Sequence, residues 1–444
     1  MAKISPTPNN SLEQNVFAAL VGIFLALALL KFGNPIILES QIAAPKDIYE
    51  FFFQSWPVYW GRIFLGVLVL AQIKIGKWKR PAPLWILILP LLWLVWQIIA
   101  ATQSVDFKLS NATVQHFVSC VVCFYLGWFA LSELKNFQPL WIGLLLGFVW
   151  MIRVGFDQHF GGLEETRRYF YLYIFPTLAE PPLGMLKKIS SNRIFATLFY
   201  PNSLAGALLL FLPITVFVTG QIARKFSKKF RVLLAGAIGA SALACLFWSG
   251  SKAGWLIMLL LGWVAALHLR FDRRLKLALA GAVLILGLAG FFLKYAVFFE
   301  KGATSVGARF DYWRAAAQIA RENPIFGTGP GTFSISYKKI KLADAEMARL
   351  CHNDFLEQAC DSGVVGFLTF LVFISASLAL LYRKRNLKLD DYPFYLWLGL
   401  LGLNLQSLVE FNLYIPALAW PNFLFLGWLW GLKTLPRNTP HNAK

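Results

Sequence analysis

The stretch LCHNDFLEQACDSGVVGF, residues 350 to 367, sets His352 beside Asn353 and Asp354 just before a glycine-flanked apolar run. If Asn353 or Asp354 caps a helix entering that run, with Glu357 three residues after Asp354 as capping-box partner, His352 stands at the helix N-terminus. The positive potential there favours a neutral imidazole over a charged one and attracts anions. A neutral histidine next to an anion site can serve as a general base. The same pattern also fits a histidine that only caps a helix at a membrane interface. The chain has four other histidines. His268 falls in a basic cluster, His441 in the C-terminal tail, and His116 at the start of an apolar segment, where a lone polar residue is packed and hydrogen-bonded. His159, in GFDQHFGG, reads as part of a structural loop turn.

Cations near apolar segments add a second chemistry. In SVGARFDYWRAAAQIARENP, helical spacing puts Arg309, Trp313, Ala316 and Ala320 on one stripe while Arg314 and Arg321 project elsewhere. Arg193 precedes the apolar segment at 201–220, and Lys252 lies in the short turn SGSKAG. A cation near hydrocarbon is costly and needs an anionic partner or a function, unless it snorkels to headgroups. Three from separate segments suggest a pocket for a phosphate-bearing lipid.

Several other signals carry less. GTGPGTF, residues 327 to 333, lacks the GK[ST] ending of a phosphate loop and reads as a turn after Pro324. Cys120 and Cys123 lie within an apolar segment, where thiols are ordinary filler. On one continuous helix, Cys351 and Cys360 would stand roughly 13 Å apart, too far for a disulfide, so free thiols are expected. The carboxylates look too scattered for a metal cluster. RRYFYLYIF, residues 167 to 175, fits an interfacial aromatic belt better than a sugar-stacking platform.

The elements that must position these residues are apolar helices. With 58% hydrophobic and 14% charged residues among 444, the chain exceeds what a soluble core could hide. Apolar segments fall near 15–33, 56–73, 83–101, 112–131, 138–152, 201–220, 232–249, 254–268, 277–293, 363–382, 393–409 and 415–432. Twelve spans are expected, some of them short of the roughly 20 residues a crossing helix wants. Basic clusters after the second (Lys74, Lys77, Lys79, Arg80), sixth (Arg224 to Arg231), eighth (Arg270 to Lys276) and tenth (Arg383 to Lys388) segments fall on one side. The positive-inside rule makes that side cytoplasmic. The net charge of +20 then matches anionic lipid headgroups rather than nucleic acid. The N-terminal apolar run reads as a retained anchor, since no small-residue cleavage site follows it. Two long loops on the opposite side, 153–200 and 294–361, interrupt a single polytopic membrane domain over 1–444.

Taken in order, NRIFATLFYPNSLAG, SGSKAG, RFDYWRAA, NPIFGTGPGTF with a following tyrosine, HNDFLEQACDSGVVGF and SLVEFNLYIPALAW resemble the O-antigen ligase and polymerase superfamily. The likeness covers roughly residues 190 to 432, and the ordered set is far more specific than any one piece. It implies an all-α integral membrane fold of about twelve helices, GT-C-like, with a long, partly helical periplasmic loop between spans 9 and 10. It also implies a bacterial inner-membrane glycosyltransferase that takes a glycan from undecaprenyl pyrophosphate at the periplasmic face. The histidine of the HN motif would be the base, and arginines would hold the pyrophosphate; these roles fall on His352, Arg193 and Arg309. Lys252, Arg314, Tyr337, Asn353 and Asn202 are the expected substrate contacts. Lys252 departs from the arginine found in many relatives, giving a point charge in place of a two-pronged fork.

On this reading His352 takes the proton of an acceptor hydroxyl during attack, while Arg193, Arg309 and Lys252 stabilise charge on the departing pyrophosphate. No metal or cofactor is called for, since the cations supply the countercharge, and direct attack inverts the anomeric centre. The acceptor is expected to be lipid A-core, which makes the chain a ligase. A chain polymerase and a protein O-glycosylating enzyme share the same motifs. The ligase is preferred because 294–361 is near-balanced in charge, nine Lys/Arg against eight Asp/Glu, unlike a basic groove for a long anionic polymer. A lipid-linked glycan transporter is the rival from another class, but such proteins favour repeats and charged sites near the midplane, and neither is visible. A scaffold for glycan-assembly partners would leave the histidine and arginine set unexplained.

Overall fold

The computed structural model describes residues 12–76, 83–177, 189–269, 271–300, 304–342, 345–385, 387, 389 and 391–432. Lys77, Lys79, Arg80, Arg270, Lys388 and His441 lie outside them. Among the described residues the chain is helical and contains no strand. Each of the twelve apolar segments forms a helix. Among the described residues, eight helices are long and apolar enough to cross a bilayer. The other four segments form helices of 14 to 16 residues, Val58–Ala71, Lys252–Leu267, Tyr392–Gln406 and Pro416–Gly431.

In chain order the helices used below are α1 (Leu12–Lys31), α2 (Leu84–Thr102), α3 (Phe107–Phe129), α4 (Gln138–Asp157), α5 (Leu163–Tyr169), α6 (Pro201–Ile222) and α7 (Lys228–Ser249). There follow α8 (Lys252–Leu267), α9 (Arg273–Glu300), α10 (Thr304–Glu322), α11 (Phe333–Ile340), α12 (Asp354–Arg385), α13 (Tyr392–Gln406) and α14 (Pro416–Gly431). The centre of the bundle is α14, whose sixteen residues are all buried. It packs on α3 through small residues: a Cβ on Gly427 would stand 1.8 Å from the Phe124 carbonyl oxygen, and one on Gly127 2.1 Å from that of Leu424. Such close backbone approach is how helices associate where lipid removes the usual hydrophobic drive. Around this core α1 packs on α4, α13 on α6, α7 on α6, and α12 on α2.

Polar contacts fix the α2–α12 seam. Trp93 Nε1 donates to Gln358 Oε1 at 2.7 Å, and Gln97 Nε2 donates to Ser362 Oγ at 2.8 Å. Within α12 the backbone breaks at Ser362 and Gly363, where Gly363 has φ +66. The glycine-rich turn expected after Pro324 docks against this kink. Val364 N–H donates to the Pro324 carbonyl, Thr328 N–H to that of Cys360 and Gly329 N–H to that of Asp361.

The segment 153–200 is helical over its first half rather than a loop. The helix of α4 runs on through a break at Phe160 and Gly161 into α5. Glu164 and Glu165 in the first turn of α5, with Arg167 and Arg168 in the last, complement its dipole. Overall polarity, on which the loop reading rested, hides that arrangement. The expected face of α10 is present: Ala316 is buried, Arg309 is partly buried, and Arg314 and Arg321 are exposed. Tyr312, Ala316 and Ile319 join Phe333, Tyr337, Cys351 and Cys360 in a small second core.

Candidate active site

Residues from α6, α10 and the start of α12 converge on one carboxylate, Glu410, in the turn between α13 and α14. From the start of α12, His352 Nδ1 donates to Glu410 Oε2 at 3.0 Å. From α10, Arg309 donates through Nη2 to Glu410 Oε1 and through Nε to the Val409 carbonyl at 3.0 Å. From the first turn of α6, Asn202 Nδ2 donates to Glu410 Oε1 at 2.5 Å. Arg193 completes the chain, giving Nη2 to Asn202 Oδ1 at 2.7 Å and Nε to the Ser249 carbonyl, at the end of α7, at 2.6 Å. The Glu410 side chain is 5% exposed and that of His352 28%. Burial alone would push the Glu410 carboxyl up, but the charges and hydrogen bonds of His352 and Arg309 hold it below its ordinary range. Burial lowers the Arg193 guanidinium, and the Glu410 charge opposes that effect.

The geometry of His352 suits proton transfer. With Nδ1–H committed to a carboxylate, the ring is fixed in the tautomer that leaves Nε2 as the proton acceptor. Its backbone sits at φ +56, a conformation uncommon outside glycine and concentrated at functional sites. Three contacts hold it there: Trp313 Nε1 donates to its carbonyl at 3.3 Å, Tyr312 stacks on its ring, and Phe411 packs edge-on at 4.7 Å.

The N-cap of α12 is Asn353. Its Oδ1 accepts from Phe355 N–H and Leu356 N–H at 3.0 and 3.1 Å, so its side chain serves the helix end rather than the pocket. Glu357 does not close a capping box with Asp354; its Oε2 reaches back to Cys351 N–H at 2.5 Å. Asp354 Oδ2 instead accepts from Leu413 N–H at 3.0 Å, tying the helix start to the turn that carries Glu410. Asp361 Oδ2 accepts from Tyr414 Oη and Gly331 N–H, both at 2.6 Å. The carboxylates are less scattered than the sequence suggests, since ligand atoms of Glu357, Cys360 and Asp361 lie within 4.8 Å of one another, all buried.

Two expected substrate contacts lie outside the network around Glu410. The Arg314 side chain is 75% exposed and pairs with Asp311 one turn earlier on the same helix, because α10 turns its other face to the bundle. Tyr337 is buried in the second core, stacked on Phe333, with its hydroxyl donating to the Glu346 carbonyl at 3.1 Å. It supports Tyr312, which stacks on His352. By contrast, Lys252 is at the site. Ser251 caps α8, and Lys252 Nζ stands 5.0 Å from the Tyr295 ring centre, within electrostatic reach of Arg193 and Arg309.

Among the described residues, the other three histidines are packing residues. His116 is fully buried between the Leu413 carbonyl at 2.8 Å and Trp420 Nε1 at 3.2 Å. His159 stacks on Trp248 at 3.9 Å, and His268 Nδ1 meets the Val264 carbonyl. All five cysteines are free and buried. In the aromatic run, Arg167 has a positioning role: it donates to the carbonyls of Ile189 and Ser191 and to Asn192 Oδ1, fixing the segment that leads into Arg193.

Sequence reasoning passed over Glu410. The signal was present: a lone carboxylate between the last two apolar segments needs a cationic partner, and arginines were already in hand.

Residues 237–371 match a family model described as O-antigen ligase. That range takes in Lys252, Arg309 and His352 but not Arg193, Asn202 or Glu410, which the fold adds. The chain is also 27% identical over 173 residues to an uncharacterized protein of Haemophilus influenzae. That alignment covers 34% of this chain and 42% of the other, so the match spans less than half of that relative's length.

Proposed function

We propose, for a chain that belongs to the O-antigen ligase superfamily through residues 237–371, that it transfers a glycan from undecaprenyl pyrophosphate to an acceptor hydroxyl. The acceptor is lipid A-core, the donor and acceptor meet at the periplasmic face of a bacterial inner membrane, and the fold is GT-C-like. The observation that carries this reading is the single network joining His352, Glu410, Arg309, Asn202 and Arg193.

In the step, the acceptor oxygen attacks the anomeric carbon as its proton passes to His352 Nε2. The new bond to carbon forms as the bond from carbon to the diphosphate oxygen breaks, and the electron pair leaves with the diphosphate. Glu410 keeps the imidazole oriented and offsets the positive charge it gains. Arg193, Arg309 and Lys252 receive the charge that grows on the leaving group. Attack opposite the leaving group inverts the anomeric centre.

Purified protein is offered a lipid-linked repeat unit with and without lipid A-core, and product size is followed. The expected outcome is capping that depends on the acceptor, abolished in His352→Ala although that variant still folds and inserts. A ladder of lengthening lipid-linked chains without lipid A-core would make the protein a polymerase. Normal transfer by His352→Ala would remove the general base.

A further inference from the structure

Lys294 has no role in the scheme above, yet its ammonium lies beside Lys252 and Arg193. It lies near the end of α9, where a lysine that only snorkelled would extend toward headgroups. Its ammonium instead donates inward to the Phe247 carbonyl of α7. Arg193 Nε donates to the Ser249 carbonyl two residues further along the same helix. The last turn of α7, where the Phe247 carbonyl also accepts from Gly250 N–H at 3.2 Å, thus receives two cations from two other segments.

Lys252, three residues beyond Ser249, reaches the same place. The ammonium groups of Lys252 and Lys294 stand 5.0 and 5.4 Å from the centre of one ring, Tyr295. Lys294 also lies within electrostatic reach of both Lys252 and Arg193. Like charges gathered beside hydrocarbon repel one another and lose hydration, and an anion placed among them relieves both costs. Of this set Arg193 reaches the Glu410 carboxylate, through Asn202, and Glu410 is itself hydrogen-bonded to Arg309, Asn202 and His352.

We infer that Lys294 is a further ligand of the donor's diphosphate, acting with Lys252 and Arg193 on the phosphate to which the glycan is bonded. This rests on the donor proposed above. It also explains how a lysine at 252 serves where a forked guanidinium would reach two oxygens: a second lysine supplies the other contact.

The test uses the full chain in lipid nanodiscs, with geranylgeranyl diphosphate and geranylgeranyl monophosphate as probes. The wild type is expected to prefer the diphosphate. Lys294→Gln should weaken diphosphate binding about tenfold, the size of one charge-assisted contact, and leave the monophosphate nearly unchanged. Lys294→Arg should retain most of the preference. A lysine that merely capped α7 would leave the discrimination intact, so a Lys294→Gln protein that still prefers the diphosphate as the wild type does overturns the assignment. If the wild type itself fails to distinguish the probes, the donor reading falls first and this one with it. Should the variants not fold, acylation of Lys294 in the wild type is followed by mass spectrometry. Slower acylation in the presence of the diphosphate supports the role, and an unchanged rate removes it.

Discussion

Replacing Glu410 by glutamine keeps the shape of the side chain and removes the charge on which Arg309 and His352 depend. Breaking a buried pair from one side leaves the other charge uncompensated, at a cost of about 3 kcal/mol. Glu410→Gln should therefore lower the melting temperature in detergent and reduce transfer well over tenfold. The carboxyl is held below its ordinary value of 4.5, so its contribution is complete above about that pH and is lost as pH falls through the lower, folded value. The wild type should lose melting temperature in that acid window more steeply than Glu410→Gln. Equal slopes would mean that the carboxylate does not carry the network. His352, Arg309, Arg193 and Lys252 were legible in the sequence because histidine and cations are rare and expensive at the ends of apolar runs. Glu410 and Lys294 were not. The partners of Glu410 stand 58, 101 and 208 residues away, and nothing local records which helix ends meet. Arg314 entered with the motif although helical spacing already set it off the Arg309 stripe, and the fold leaves it exposed on that other face.

Among the elements, α12 does the most to shape the site. Its start is capped by Asn353 and its course is bent at Gly363, so that the glycine-rich turn lies against the kink. A Cβ at Gly363 would stand 2.1 Å from the Ile325 carbonyl oxygen, in a backbone conformation that L residues avoid. Gly363→Ala is thus expected to destabilise by at least about 1 kcal/mol. It should also reduce transfer without contacting substrate, measured by thermal unfolding and turnover on the same sample; a variant as stable and active as the wild type would show that the bend is not needed. The apolar helices were readable because length and hydropathy are properties of one segment. The kink and the helical course of 153–177 were not, because each depends on contacts or charge order that overall polarity averages away.

At the scale of the whole molecule, orientation is testable with the chain's own chemistry. The five native cysteines are buried, which gives a quiet background for thiol labelling. In spheroplasts, a membrane-impermeant maleimide should label Arg314→Cys and spare Lys228→Cys, since both positions are exposed in the fold and the basic loop is expected inside. The opposite pattern would invert the topology. The central position of α14 carries a further consequence, for synthesis rather than for catalysis. This helix follows α1 to α13 in the chain, yet it packs against α1, α3, α6, α12 and α13, and Glu410 stands in the turn before it. A nascent chain therefore places these neighbours in the bilayer first and must hold a gap between them until α14 arrives. Until the turn before α14 is made, His352 and Arg309 lack their shared carboxylate, so a chain stopped short of that turn would occupy the membrane with its base unoriented and Arg309 unmatched.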